Sequence, residues 1–380
     1  MQPLLTLLRG ESLDGISSAE WMPALDLADR ENILPWTAAC LSAAGPWSEQ
    51  LTDRLREIRR NAQISAFLWN STLKSTLADF HRRGILVIPL KGPWLAERLY
   101  GDAALRNYSD LDLLVRRSDI SRAEGLLNQL GFLPASRRGD YERTWRRGSI
   151  TIELHHDVEN PLSFDFRIDE VWQRAQPAEF HGVPAWLLAP CDEQLFLCLH
   201  SARHRFERLS HILDVVFAFR SWPEMPAHAL RTRDADHLLA LGARMAARLD
   251  PRLAVPDPPS LQQRDRAVLD VLAGRLWQER LLAPVPRLDW RAKCQFFIAL
   301  ESRPWNRLLT RLRHLRILLT RLIDADFAFA ARFHLHRTWQ VWLLRPIRLL
   351  SKRASLRSFP ADDARINRNP IAISTGNERT

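Results

Sequence analysis

Asp110 and Asp112 stand two residues apart in the run Ser109-Asp110-Leu111-Asp112-Leu113-Leu114-Val115. The run reads as a strand, and side chains alternate faces along a strand. Both carboxylates therefore point one way, roughly 6–7 Å apart along the backbone. Leu111, Leu113 and Val115 point the other way, into a core. Two carboxylates on one face repel each other and become tolerable when a divalent cation sits between them. Mg²⁺ suits such a pair, because it takes a few hard oxygen ligands and fills its other positions with water and substrate phosphates.

The segment before the acids supplies what a phosphate site needs. Ile85-Leu86-Val87-Ile88 is a continuous apolar run, as expected of a strand buried on both faces. It ends at Pro89-Leu90-Lys91-Gly92, and Pro93 suits the first position of a helix. That helix is expected from Pro93 to Tyr100, with Gly101 as its stop. Gly92 then lies at a strand-to-helix turn, where backbone N–H groups and the positive helix end can approach a phosphate. Lys91 adds a mobile positive charge.

A third acid comes from the next hairpin. Residues 141–146 and 150–155 flank Arg147-Gly148-Ser149, and alternation puts Thr151, Glu153 and His155 on one face and Ile150, Ile152 and Leu154 on the other. Glu153 is thus expected beside the Asp pair. Two metals roughly 4 Å apart would stabilise both the attacking and the leaving oxygen of an in-line displacement.

At these residues the chain resembles a known family. A strand, a Lys-Gly turn, a helix ending in Leu-Tyr, Arg106, then Asp-x-Asp-hydrophobic-Leu-Val is similar to the uncharacterised nucleotidyltransferase family of the polymerase-β-like superfamily. The resemblance continues through residues 123–132, Ile152 to His156, residues 195–200 and Leu213-Asp214, and covers roughly residues 20 to 220. It implies transfer of a nucleoside monophosphate from a nucleoside triphosphate to an acceptor hydroxyl, with pyrophosphate leaving. By this resemblance Asp110, Asp112 and Glu153 are the catalytic carboxylates and ligands of Mg²⁺ or Mn²⁺. Lys91, Gly92, Arg106 and Ser109 lie beside the triphosphate. The acceptor is expected to be a small molecule or a peptide or protein side chain. One departure is visible: the superfamily usually has Gly-Ser or Gly-Gly at the turn, and here it is Gly92-Pro93. This departure favours an alternative, a catalytically weak nucleotide-binding module. The basic C-terminal half favours another, a nucleic-acid or tRNA-modifying enzyme.

The chain has 380 residues, a formal net charge of +10 and 46% hydrophobic residues, enough for ordinary globular cores. Its four cysteines, Cys40, Cys191, Cys198 and Cys294, are scattered, as in a reducing compartment without disulfides. Residues 1–8 lack the pattern of a signal peptide, and no apolar run reaches the roughly 20 residues needed to span a bilayer. A cytoplasmic location is expected. The positive charge is nearly all Arg, and Lys occurs at 74, 91, 293 and 352 alone. Residues 264–380 carry 23 basic and 10 acidic residues, so the charge excess lies outside the expected catalytic domain.

The fold class that fits is α+β: a nucleotidyltransferase-like mixed sheet with helices, flanked by N-terminal helices and a helical C-terminal half. The expected organisation is an N-terminal helical segment at 1–80, the α/β core at 81–190 and a helical domain packing on it at 191–255. An Arg-rich helical region at 256–353 and a polar, disordered tail at 354–380 follow. Ser118 or Asp119 is a candidate cap for a helix reaching Leu130, and Val183 to Leu188 reads as a last strand.

Other residues have plainer readings. His200 and His204, four apart on a helical face, have a zinc-ligand spacing, but a hydrogen-bonded pair packing the helical domain is the simpler account. Asp214 is expected to cap a helix or pair with an Arg. The segment from Arg303 to Arg353 interleaves Arg with Leu, Phe and Trp. It reads as a bundle with solvated arginines, or as a surface for nucleic acid or anionic membrane.

Overall fold

The computed structural model describes residues 1–135, 141–159, 164, 166–223, 233–282 and 290–300, with short stretches and single positions between 305 and 347. It divides into two compact units, Met1–Arg321 and Leu322–Thr380, and every element named below belongs to the first. The fold is α+β, built on a five-stranded mixed sheet.

Four helices open the chain: α1 (Gln2–Arg9), α2 (Ser18–Arg30), α3 (Leu34–Ala44) and α4 (Glu49–Arg82). The Ser48 hydroxyl accepts from the Leu51 N–H and caps α4. This 34-residue helix is about 50 Å long at the standard rise. Its first turns bury Leu51, Leu55 and Ile58 with α2 and α3, and its last turns bury Leu73, Leu77 and Phe80 against the sheet.

The sheet runs β1 (Val87–Pro89), β2 (Leu111–Val115), β5 (Ile150–His155), β4 (Glu142–Arg147) and β3 (Leu133–Pro134) in spatial order. β2 and β5 are parallel, and the other pairs are antiparallel. All five residues of β2 are buried, as befits a strand covered on both faces. Leu111, Leu113 and Val115 pack with Ile152, Leu154, α4 and α6 (Ile120–Gln129). Leu114 and Ile88 enter a separate core with α8 (Pro190–Arg203), α9 (Leu209–Ser221) and α10 (Arg233–Leu249). The alternation therefore turns Asp112, Glu153 and His155 toward the helical half of the molecule.

Two local expectations change, and a third, the last strand, holds. The helix after Gly92 is α only over α5 (Gly92–Leu95) and then widens to a π-type turn over Ala96–Tyr100, with Gly101 at φ 81° as its stop. Asp119 does not cap α6 through its side chain; it pairs instead with Arg122, three residues on. The strand expected at Val183 is β7 (Val183–Leu187), which pairs with β6 (Gln176–Phe180) in a sheet of its own, after α7 (Ile168–Arg174). Two further helices, α11 (Gln263–Leu282) and α12 (Trp290–Leu300), follow α10.

Cys40, Cys191 and Cys198 are free thiols. The Cys294 side chain, most of the Arg303–Arg353 segment and the tail from 354 lie outside the described residues. Trp305, Leu308 and Leu312 of that segment are exposed. Among the described residues, no helix is long and apolar enough to cross a membrane.

Candidate active site

Asp112 is the centre of the site. It sits on β2, an interior strand of the sheet, with a side chain 2% exposed, directly across from Glu153 on β5. The Lys91 Nζ lies 3.0 Å from Asp112 Oδ2, and His155 Nε2 lies 3.1 Å from Asp112 Oδ1. The same His155 nitrogen is 3.6 Å from a Glu153 oxygen, and His155 Nδ1 is 3.9 Å from Glu142. The carboxylate of Asp112 thus has a cation at one oxygen and an imidazole at the other.

The Lys-Gly turn is pressed onto the start of β2. The ladder continues past β1, where the Leu90 N–H donates to the Asp112 carbonyl. Lys91 is extended, and Gly92 then takes φ +70°, a left-handed conformation natural to glycine. A Cβ at Gly92 would come within 3.4 Å of the Leu111 side chain and 3.6 Å of the Asp110 carbonyl. The turn that reverses the chain into α5 therefore lies against the acid-bearing segment.

Electrostatics tie Asp110 to the same cluster, although it precedes β2. Burial first, and then the Asp112 charge, push its carboxyl up to about 6, against the pull of Lys91. Burial alone would raise Asp112 too. Lys91 and the His155 hydrogen bond override it and hold Asp112 well below the ordinary carboxylate range. Burial disfavours the charged form of His155, but its bonds to Asp112 and Glu153 prevail and lift it to about 9.

Asp112, Glu153 and His155 each offer one ligand atom, all within 4.8 Å of one another. This donor set fits a divalent ion. Its carboxylates suit Mg²⁺ or Mn²⁺, whereas His155 would join them only after losing the proton it shares with Asp112 and Glu153. Asp110 contributes charge to this group without belonging to the tight triad. Ser109 is exposed at the bend before β2.

Arg106 is bound to the helical half. Its Nε and Nη2 each donate to one Asp214 oxygen at 2.9 Å, and the Tyr100 hydroxyl donates to Asp214 at 2.6 Å. Asp214 lies on α9 and pairs with an Arg, as its sequence context suggests. His200, His204 and His211 gather with ring centroids 4.9–5.4 Å apart. Among the described residues, the converging metal-type group is Asp112, Glu153 and His155, not these three.

His155 lies on the face of Glu153 as its alternation implies, but its bond to Asp112 carries no sequence signal, and neither does the placing of Arg203, whose guanidinium donates to the Tyr141 hydroxyl. Arg203 and His200 line a small cavity with Lys91, Asp112 and His155. The signal available was the helical spacing of His200 and Arg203 in α8, which did not reveal which strand they would meet.

A family model described as "Uncharacterised nucleotidyltransferase" matches residues 17–250, and the chain belongs to this family. It is a nucleotidyltransferase by that membership. The chain is similar to solved structures of the antibiotic-resistance factor ANT(2'')-Ia. The solution structure is 15% identical, with a TM-score of 0.34, covering 45% of this chain and 89% of that one. The crystal structure with adenylyl-2''-tobramycin is 15% identical, with a TM-score of 0.33, covering 46% and 95%. A tRNA-processing enzyme in an apo form is 13% identical, with a TM-score of 0.24, covering 76% and 92%. No curated protein sequence matches the chain.

Proposed function

We propose that the protein moves a nucleoside monophosphate from a nucleoside triphosphate to a hydroxyl of a small molecule or of a peptide or protein side chain. Asp110, Asp112 and Glu153 hold Mg²⁺ or Mn²⁺, and Lys91, Gly92, Arg106 and Ser109 lie along the triphosphate. The observation that carries this reading is the register of Asp112 opposite Glu153, with the Lys91-Gly92 turn against the same strand.

A bond forms between the acceptor oxygen and the α-phosphorus as the hydroxyl proton passes to solvent, the bond from the α-phosphorus to the α–β bridging oxygen breaks, and pyrophosphate leaves with the electron pair. The ion, when bound, stabilises the charge on the phosphoryl oxygens and the leaving group. Lys91 exchanges Asp112 for the polyphosphate and neutralises part of its charge. Gly92 allows the polyphosphate to approach the backbone at the start of α5, where no side chain intervenes. His155 keeps hold of Asp112 Oδ1 and fixes the carboxylate while Lys91 moves.

A second reading, a nucleotide-binding module with little turnover, draws support from the same residues. Lys91 already neutralises Asp112, and Pro93 offers no N–H to a phosphate.

Incubation with α-labelled and γ-labelled nucleoside triphosphates, Mg²⁺ or Mn²⁺ and a cell extract distinguishes the readings. Transfer of the α-label to an extract component, with pyrophosphate released, is the expected result. Transfer of the γ-label would make the reaction phosphoryl transfer. Metal-dependent binding without transfer of either label would favour the module.

A further inference from the structure

Asp214 carries a charge in the interior, with 1% of its surface exposed, and none of the chemistry above uses it. It sits in the middle of α9, on the helical half. Its partners belong to the segment that leads into the acids: Arg106 lies four residues before Asp110, and Tyr100 closes the π-type turn after α5. The Tyr100 ring also packs at a tilt of 46° against Phe217, one turn along α9, at 4.4 Å between centroids. Two side chains of one helix therefore grip two side chains of the loop that delivers Asp110.

The hydrogen-bond geometry is one-sided. Asp214 takes the Nε and Nη2 edge of the guanidinium in a bidentate pair, the arrangement that fixes the plane and direction of an arginine most firmly. The remaining group, Nη1, has a single long contact of 3.5 Å to the Asn107 carbonyl. The Arg106 side chain is 11% exposed. Arg106 also lies within electrostatic reach of both acids, favouring the charged form of Asp110 and being itself favoured by Asp112.

We infer that Asp214 is a positioning residue for the nucleotide site. It holds Arg106 by one edge and leaves the Nη1 edge, otherwise held by one long bond to the Asn107 carbonyl, to reach the polyphosphate of the nucleoside triphosphate beside Asp110 and Asp112. Tyr100 braces Asp214 by filling the oxygen that also takes Arg106 Nε. The grip of α9 on this loop makes nucleotide affinity depend on the docking of the helical half. This inference rests on the proposed nucleotide reading and deepens it.

A purely structural ion pair and a positioning pair respond differently to substitution. The probes are ATP, GTP, CTP and UTP, each with Mg²⁺ and with Mn²⁺, titrated against the full chain by calorimetry. Thermal melts serve as a check on folding. Arg106→Gln is expected to weaken nucleotide binding about tenfold, the loss of one charge-assisted hydrogen bond. Asp214→Asn is expected to weaken it to a similar extent while adding nothing in the Arg106→Gln background, because it acts through Arg106. Asp214→Asn alone leaves a buried arginine without its anion and is expected to melt lower. The double variant Arg106→Gln with Asp214→Asn has no lone charge, and is expected to regain melting temperature without regaining affinity. Tyr100→Phe keeps both charges, and is expected to fold normally and bind nucleotide a few-fold more weakly. Asp214→Glu is expected to bind more tightly than Asp214→Asn.

A double variant that melts like the native chain and binds nucleotide just as tightly would overturn the inference and leave the pair structural. Additive losses from the two single variants would overturn it as well. Native protein that binds none of the four nucleotides with either ion would overturn the nucleotide reading, and this inference with it. Native binding with unaffected variants overturns the positioning role alone.

Discussion

Asp112 on β2 stands directly opposite Glu153 on β5, its parallel neighbour, and the two carboxylates share the face that looks toward α8 and α9. A parallel pair keeps its slanted register over several residues, so this opposition is fixed by the sheet rather than by a loop. Glu153→Gln keeps the shape and removes one charge. It is expected to weaken Mn²⁺ binding at least tenfold, read by electron paramagnetic resonance of the free ion, while leaving the melting temperature within a few degrees. Unchanged Mn²⁺ affinity would remove Glu153 from the ligand set.

Lys91 occupies the cation position on Asp112, so it has two opposed effects. Lys91→Met is expected to leave Mn²⁺ binding without nucleotide as tight as before, or tighter, because the competing ammonium is gone. Nucleotide binding is expected to weaken about tenfold, the loss of a charge-assisted contact to phosphate. A variant that loses Mn²⁺ affinity alone would show that Lys91 supports the ion site instead of competing with it.

Gly92 has φ +70° and faces the Leu111 side chain. Gly92→Ala is expected to cost about 1–2 kcal/mol of stability in urea unfolding, from the left-handed backbone. It is also expected to lower nucleotide affinity further than that cost accounts for, because a methyl group pressed on Leu111 and the Asp110 carbonyl shifts the turn away from the acids. A variant with native stability and native affinity would mean that the turn relaxes and takes no part in binding.

His200 is held well below its ordinary pKa, first by burial and then by the neighbouring positive charges of Lys91, His211, His204 and Arg203. The folded chain keeps His200 neutral, whereas the unfolded chain takes up a proton near pH 6.5. The stability associated with neutral His200 is therefore fully present above about pH 6.5 and is lost as the pH falls below it. Asp110, raised to about 6, contributes the opposite slope over the same range in both proteins, so the expected result is a difference: between pH 7 and pH 5 the urea midpoint falls further in the native protein than in His200→Gln. Equal slopes for the two proteins would contradict this assignment.

The sequence makes some of this site legible and hides the rest for a physical reason. Alternation has a period of two and is local, so the shared face of Glu153 and His155, and the apolar face of Leu111, Leu113 and Val115, can be read directly. Gly92 before Pro93 likewise marks the strand-to-helix turn. Strand pairing is not local. Which residue of β5 meets Asp112 depends on the register of two strands separated by about 40 residues, and the bond from His155 to Asp112 follows from that register. The Arg106–Asp214 pair spans 108 positions and joins two segments whose patterns are independent. The π-type turn at Ala96–Tyr100 carries no signature separate from an ordinary helix. It turns Tyr100 toward α9, which no spacing rule foretells.

In the proposed reaction Asp112 anchors a metal-bound nucleoside triphosphate. The most direct test of this role is Mn²⁺-dependent nucleotide binding by Asp112→Asn beside the native chain, with melting temperature as the control for folding. The native chain is expected to bind at least one of the four nucleotides in the presence of Mn²⁺ and to lose that binding in a chelator. Asp112→Asn is expected to stay folded and to bind none of them with either addition. A folded Asp112→Asn protein that binds the same nucleotide with native affinity, and still responds to the chelator, would contradict the account.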